Sequence, residues 1–175
     1  AFKSSDQLEA GVRWLKIANV GIGKIVWNEK SFLPESYSED HKQFILKYGD
    51  IVLALTRPTL NNKLKIAQIN KLDSGCLLNQ RVGKITIKQN DLDQQFIFHR
   101  LRSDEIAFRI NQQLAGTDPP NLSAFVFDQI KILLPPLQEQ KAIADILEKW
   151  DEAIEKTSKL IVEKKKRFEW LRNQI

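Results

Sequence analysis

One segment of the chain decides its fold class, and over residues 134–175 it reads LPPLQEQKAIADILEKWDEAIEKTSKLIVEKKKRFEWLRNQI. From Gln138 to Ile175 it contains no glycine and no proline. Its seam positions recur at alternating spacings of four and three residues, the heptad period of a helix with one narrow apolar face. These positions are Ile143, Leu147, Trp150, Ile154, Thr157, Ile161, Lys164, Phe168, Leu171 and Ile175. The pattern predicts one helix of about 38 residues, which at 1.5 Å per residue is roughly 57 Å long.

An apolar seam of this length needs a surface that covers it. Glutamates and lysines occupy the other faces, and opposite charges stand four residues apart, as in the pair Glu152 and Lys156. The narrow period favours a second helix as the covering surface, in the same chain, in a second copy or in another protein. A surface helix that lies along its own domain is the alternative.

The sequence before the prolines is of a different kind. It alternates short β-like runs with turn residues, and one helical stretch follows them. The predicted strands are Ile51–Leu55, Leu64–Ile69, Val82–Ile87 and Gln129–Leu134, and the predicted helix is Phe96–Leu114 with a break near Ser103. We therefore predict the fold class α+β, with a mixed domain at residues 1–134 and one long C-terminal coiled-coil helix at residues 135–175.

The composition excludes several classes of protein. Cys76 is the single cysteine, so no internal disulfide is predicted, and with only two histidines no metal site is predicted either. No stretch approaches the roughly 18 apolar residues that a membrane span requires. A reducing cytoplasm is therefore the expected location. The chain contains no methionine, which suggests a fragment or an internal product.

The positive charge is concentrated in one segment. Between Arg57 and Lys88 the chain has seven basic residues and one acidic residue, a net charge of +6, whereas the whole chain has +5. Lysine and arginine neutralise phosphates, arginine can bond guanine with two hydrogen bonds, and asparagine or glutamine can bond adenine in the same way. This segment therefore predicts binding to nucleic acid, with a solvated basic surface as the alternative.

The same chemistry predicts which kind of contact individual side chains make. We predict that the phosphate contacts come mainly from Arg57, Lys63, Lys65 and Lys84. The candidates for base contacts are Asn79, Gln80, Arg81, Thr117 and Asn121.

The stretch Asp118-Pro119-Pro120-Asn121 raises the possibility of an enzyme. Asp-Pro-Pro followed by an aromatic residue is the catalytic signature of amino-methyltransferases, in which the ring stacks on a flipped base. Asparagine stands in the aromatic position here, and no glycine-rich turn after a strand provides a nucleotide site. A turn and a helix N-cap at Ser123 are the preferred interpretation, and no cofactor is expected.

Four ordered blocks resemble the specificity subunits of type I restriction–modification systems. The most specific block is Leu134–Leu147, at the junction with the long helix, and Gly49–Thr59 is similar to a recurring strand of that family. Leu78–Gly83 and Gly116–Ser123 match two further blocks. In this family the chain would be a target recognition domain with one conserved helix, which is half of a subunit.

The resemblance implies a function without catalysis. Such subunits read double-stranded DNA through two recognition domains, each of which reads half of a bipartite site, and two long helices pair antiparallel. Modification subunits, and restriction subunits through them, assemble on that scaffold. A single recognition domain and a single helix imply either half of a full subunit or a half-sized subunit that forms a homodimer. The alternatives are a fragment of a DNA amino-methyltransferase and a structural coiled-coil module that binds protein.

Overall fold

The computed structural model describes residues 2–174 and divides into two compact units. The first unit contains residues 1–90 and 100–133, and the second contains residues 91–99 and 134–175. The segment 91–99 thus belongs with the long helix, although it lies far from that helix in the sequence. Within residues 2–174, no helix has both the length and the apolar character needed to cross a membrane.

The first unit has two small three-stranded sheets and a β-hairpin. Its strands are β1 Val12–Leu15, β2 Phe32–Leu33, β3 Ile51–Ala54, β4 Thr59–Leu60, β5 Lys63–Leu64, β6 Ile66–Gln68, β7 Leu77–Leu78 and β8 Val82–Ile85. One sheet has the order β2-β1-β7, the second has the order β6-β3-β8, and β4 pairs with β5. Short 3-10 turns lie before β1 at Ser4–Asp6, between β1 and β2 at Ile17–Asn19 and between β2 and β3 at Lys42–Phe44.

Strand β3 is the centre of the second sheet because all four of its side chains are buried. It pairs antiparallel with β6 and with β8, and Leu53 lies opposite both Ile66 and Gly83. Val52 and Ala54 enter a core cluster that also contains Leu15 and Cys76. The prediction of a buried strand at Ile51–Leu55 is confirmed to within one residue.

The α-helices found among residues 2–174 are α1 Tyr37–Asp40, α2 Gln94–Leu101, α3 Asp104–Leu114, α4 Ala124–Asp128 and α5 Leu137–Arg172. The predicted break near Ser103 is confirmed, because the Ser103 side chain accepts a hydrogen bond from the Ile106 N–H and begins α3. Ser123 begins α4 in the same way, through a hydrogen bond from the Val126 N–H.

The predicted strand at Gln129–Leu134 is wrong. Gln129 has helical backbone angles at the end of α4, and the Ile130 N–H bonds the carbonyl of Phe127. Leu133 is 85% exposed and Leu134 is 50% exposed, so the end of this segment is open to solvent. Period-2 patterning predicts a strand only where another strand is available for pairing, and no strand among residues 2–174 pairs with this segment.

In the second unit, α5 begins at Leu137 directly after the two prolines and ends at Arg172. Its 36 residues span about 54 Å, close to the predicted length. Gln140 is buried and ties the start of the helix to segment 91–99. Its side chain accepts a hydrogen bond from the Asp93 N–H at 2.9 Å and donates to the carbonyls of Asp91 and Pro135 at 3.0 and 2.8 Å.

Candidate nucleic-acid interface

Two arginines of the basic segment lie at one end of the β6-β3-β8 sheet. Because β3 and β8 are antiparallel, the end of β3 meets the start of β8, and the Leu55 N–H donates to the Arg81 carbonyl at 2.9 Å. Arg57 stands two residues further along, with a left-handed φ of 49°. Both side chains are exposed, and neither has a hydrogen bond or ion pair within residues 2–174. They are the cations of this sheet end that remain available to a ligand.

The loop after α3 joins the same end of the sheet. The Arg57 N–H donates to the Pro120 carbonyl at 2.8 Å, and the Leu122 N–H donates to the Leu55 carbonyl at 2.7 Å. The Thr56 hydroxyl also donates to Asn121 Oδ1 at 2.7 Å. Asn121, predicted from a distant part of the sequence, is thus placed beside Arg57.

Gln80 and Thr117 differ in how their side chains are used. Gln80 is exposed beside Arg81 and has no intramolecular partner among the described residues. The Thr117 hydroxyl is also exposed, and it donates to the Leu114 carbonyl at the end of α3 at 2.7 Å. Thr117 therefore closes the helix end in addition to any contact it makes with a ligand.

The three predicted lysines have partners inside the protein. Lys63 forms an ion pair with Asp104, and Lys84 Nζ lies 2.8 Å from Asp50 Oδ2. Lys65 Nζ donates to the Ile17 carbonyl at 2.8 Å, and burial lowers the pKa of this amine. The sequence pattern counted these cations as available, but the fold neutralises two of them and partly buries the third.

Asn79 is buried and holds a neighbour in place. Its Oδ1 accepts a hydrogen bond from the Arg81 N–H at 2.9 Å, and its carbonyl accepts one from the Val82 N–H at 2.9 Å. The geometry gives Asn79 a positioning role for Arg81 at the turn into β8.

The hairpin Pro58–Lys65 is an element of this region that strand prediction missed. Strands β4 and β5 pair as Thr59 with Leu64 and Leu60 with Lys63, which leaves Asn61 and Asn62 as a two-residue loop. Two consecutive asparagines between β-forming residues are a hairpin signal, because both loop residues of a type I′ turn need a positive φ. Here φ is 50° at Asn61 and 58° at Asn62.

The predicted seam of α5 is largely open to solvent. Ile143 is half-buried near the start of the helix, whereas Trp150 and Phe168 are each 65% exposed. The other exposed seam residues are Leu147, Ile154, Thr157, Ile161, Lys164 and Leu171, and Ile175 lies outside the described residues. From Glu152 to Gln174, every described side chain is exposed.

Neither histidine belongs to the sheet-end site. His41 is half-buried and packs against the rings of Phe2 and Tyr37, with ring centroids 5.1 and 5.2 Å away. His99 lies in α2 with Nδ1 4.0 Å from Asp151 Oδ2. Within residues 2–174, no three His, Cys, Asp or Glu side chains come together as metal ligands would.

The first unit thus has an exposed basic sheet end, and the second unit has a helix with an open apolar seam. Residues 15–164 match the family described as type I restriction modification DNA specificity domain. The chain belongs to this family, and the resemblance carried by the four sequence blocks is confirmed.

Two relatives are specificity subunits, and the chain matches part of the length of each. It is 46% identical over 154 residues to the type I restriction enzyme MjaVIII specificity subunit of Methanocaldococcus jannaschii, a match that covers 88% of this chain and 36% of that subunit. It is 35% identical over 162 residues to the EcoAI specificity subunit of Escherichia coli, covering 91% of this chain and 26% of that subunit.

A comparison with solved structures leads to the same family. The HsdS subunit from Thermoanaerobacter tengcongensis matches with a TM-score of 0.62 and 26% identity, over 91% of this chain and 40% of that chain. The α+β fold with a long C-terminal helix is therefore confirmed. The chain spans between about a quarter and two fifths of the length of these relatives. The methyltransferase and the structural coiled-coil interpretations are not favoured.

Proposed function

We propose that this chain recognises a short DNA sequence as one half of a bipartite site in a type I restriction–modification complex. The observation that carries this function is the convergence of Arg57, Arg81 and Asn121 at one end of the sheet, with both guanidinium groups exposed and without intramolecular partners among the described residues. Guanidinium and amide groups read base edges in the major groove, and exposed cations contact phosphates.

We assign the side chains at this end of the sheet to two roles, contact with DNA and positioning of the residues that make this contact. Arg57 and Arg81 contact guanine or phosphate, and Gln80 and Asn121 provide amides for adenine. Asn79 holds the turn that presents Arg81. Thr117 shapes the loop that carries Asn121. Lys63, Lys65 and Lys84 shape the surface through their bonds to Asp104, Ile17 and Asp50.

The chain is proposed to have no catalytic activity of its own. Its relatives are specificity subunits, and the exposed groups of the sheet end are donors suited to binding. Incubation with labelled S-adenosylmethionine and DNA checks this point, and we expect no transfer to DNA. The buried Cys76 thiol fits a reducing cytoplasm, in which we propose that the protein acts.

The long helix is proposed to pair antiparallel with the equivalent helix of a second half, either an identical chain or a different one. Residues 137–154 have five acidic and two basic residues, a net of −3, whereas residues 155–172 have seven basic and three acidic residues, a net of +4. Antiparallel pairing of two such helices sets opposite charges against each other, and parallel pairing sets like charges together. The pKa of Glu148 is raised by partial burial and by nearby carboxylates such as Asp145, so a basic partner would relieve this repulsion.

Cysteine cross-linking tests the orientation. Gln138 and Asn173 lie near opposite ends of the helix and are exposed, so each accepts a cysteine without disturbing the seam. If the pair is antiparallel, a mixture of Gln138→Cys and Asn173→Cys chains cross-links between the two variants. Cross-links within each variant alone would show parallel pairing and contradict the proposal.

The paired helices are proposed to hold two recognition domains at a fixed distance and to bind modification subunits, which bring restriction subunits into the complex. A solved structure matched with a TM-score of 0.63 comes from work on complex assembly of a type I system, which supports assembly as the context. The rigid length of the helix would then set the gap between the two half-sites.

Selection from random DNA tests the whole proposal. The purified chain is used with and without modification subunits, and the enriched sequences are compared. We expect a short motif from each head and a bipartite motif from the assembled pair. Enrichment of no motif in either case would reject sequence recognition by this chain.

A further inference from the structure

The tip of the Pro58–Lys65 hairpin offers amides that the protein itself does not use. Asn61 and Asn62 are exposed, and neither side chain has a hydrogen-bond partner within residues 2–174. Two asparagines elsewhere in the first unit are used internally: Asn19 bonds backbone groups with both ends of its amide, and Asn79 accepts the Arg81 N–H. The positive φ at both tip positions would suit glycine equally well, so the turn does not require the amides.

The hairpin is held firmly below its tip. The Thr59 hydroxyl donates to Asn111 Oδ1 of α3 at 2.7 Å, and Lys63 forms its ion pair with Asp104 at the start of the same helix. Leu64 is fully buried, and the Lys65 N–H closes the ladder on the Pro58 carbonyl at 2.7 Å. A tip on such a base loses little conformational freedom when it binds a ligand.

The charge around the tip suits DNA. Arg57 begins the hairpin and is exposed, and the nearby carboxylate of Asp104 is neutralised by Lys63. A two-stranded ribbon fits the major groove, which is about 12 Å wide. There an asparagine amide can donate a hydrogen bond from Nδ2 to adenine N7 and accept one at Oδ1 from the adenine N6–H. The exposed amides of this narrow hairpin, which lies in a basic surface, are therefore suited to contact adenine.

We propose that the Asn61-Asn62 tip enters the major groove and that an amide of this pair reads adenine through N6 and N7. This inference rests on the proposed function. It adds which element contacts the DNA, the hairpin, and which base the hairpin reads, adenine. Asn61 is the fourth residue after Arg57, a distance of at most about 13 Å of extended chain. With a spacing of about 3.4 Å between base pairs, the adenine lies within about four base pairs of the position that Arg57 contacts.

The variant Asn61→Gly/Asn62→Gly tests the role of the two amides without changing the turn. Glycine keeps the positive φ of both positions, so the hairpin is retained and only the two side chains are lost. Asn28→Gly is the matched control, because Asn28 is also exposed but lies outside the basic segment. Thermal unfolding of all three proteins verifies that each is folded.

Selection from random DNA is carried out with the wild type, the double variant and the control. We expect the double variant to lose the preference for adenine at one position and to keep the rest of the motif. In wild-type binding, 7-deazaadenine at that position removes the N7 acceptor and lowers affinity roughly 5- to 140-fold, whereas the double variant shows no further loss.

The outcomes distinguish this inference from the proposed function. A wild type without any motif overturns both. A motif that the double variant selects with unchanged adenine preference overturns the inference alone. Should the double variant unfold, the 7-deazaadenine scan of wild type decides, since insensitivity at every adenine of the motif contradicts the amide contact.

Discussion

At the scale of single residues, Arg57 and Lys65 show how the fold separates cations that look alike in the sequence. Arg57 is exposed without an intramolecular partner in the described chain, whereas Lys65 is half-buried and bonded to the Ile17 carbonyl. A cation that meets phosphate releases counterions, and each such contact adds about 0.9 to the slope of log K against log salt. A cation used inside the protein adds nothing to that slope.

We therefore expect Arg57→Ala to reduce the magnitude of the salt slope by about 1 if Arg57 holds a phosphate. Lys65→Met should leave the slope unchanged and should lower the free energy of unfolding by about 1 kcal/mol, because it removes an internal hydrogen bond. Binding titrations at several salt concentrations and urea unfolding measure both effects. Equal slopes for wild type and Arg57→Ala would remove Arg57 from the phosphate contacts.

Asn79 provides a second test at this scale. Asn79→Ala removes the acceptor for the Arg81 N–H, and we expect a loss of about 1–2 kcal/mol in unfolding free energy together with weaker DNA binding. Asn79→Asp keeps an acceptor oxygen and is the matched comparison. If Asn79→Ala were as stable as wild type and bound DNA equally well, the positioning role would be wrong.

Cys76 should report opening of the core. Burial raises the pKa of its thiol to about 12, so the reactive thiolate is suppressed in the folded protein at neutral pH. We expect thiol reagents to label the folded chain only through opening of the structure, at a rate that rises with urea. Since the folded pKa lies above the reference value of 9.0, the contribution of this group to stability declines as the pH rises from about 9 towards 12.

At the scale of elements, the proposed pairing of α5 depends on its exposed seam. Ile154 and Ile161 lie on the seam and are exposed, and Val162 is equally exposed on another face. We expect Ile154→Asp/Ile161→Asp to weaken helix pairing at least roughly a hundredfold, because two charges would be buried in the seam. Sedimentation equilibrium measures this change.

Val162→Asp is the matched control for the seam, since it places the same charge on a face outside the heptad stripe. It should leave pairing nearly unchanged. A wild type that stays monomeric with its intended partner present, or equal effects of the seam and control variants, would contradict pairing through the seam.

At the scale of the whole molecule, the length of the helix should control the DNA site. Insertion of one heptad after Thr157 continues the seam and lengthens the helix by about 10.5 Å. This corresponds to roughly three base pairs at 3.4 Å each, so we expect selection to recover the same half-sites with a longer gap. An insertion of four residues breaks the seam register and serves as the comparison. An unchanged gap after the heptad insertion would show that the helix does not set the spacing.

The strands show where prediction from the sequence succeeds. Ile51–Ala54 is a continuous apolar run and is the buried central strand, because burial on both faces requires that composition. Gln129–Leu134 has a strand-like pattern but is not a strand. Whether such a segment forms a strand depends on whether the edge of a sheet lies beside it for pairing. The folded domain decides this.

Local patterns by themselves determined the long helix, its boundary at the prolines, the helix break at Ser103 and the basic character of residues 57–88, because each depends on neighbours in the chain. Only the tertiary structure decided which cations are available: Asp50 and Asp104 neutralise Lys84 and Lys63, while Arg57 and Arg81 remain exposed. It also brought Asn121 to Arg57 through bonds to Pro120 and Thr56. Ion pairs and loop contacts between residues that lie 34 to 65 positions apart depend on how strands and helices pack, and a pattern of adjacent residues does not contain that information.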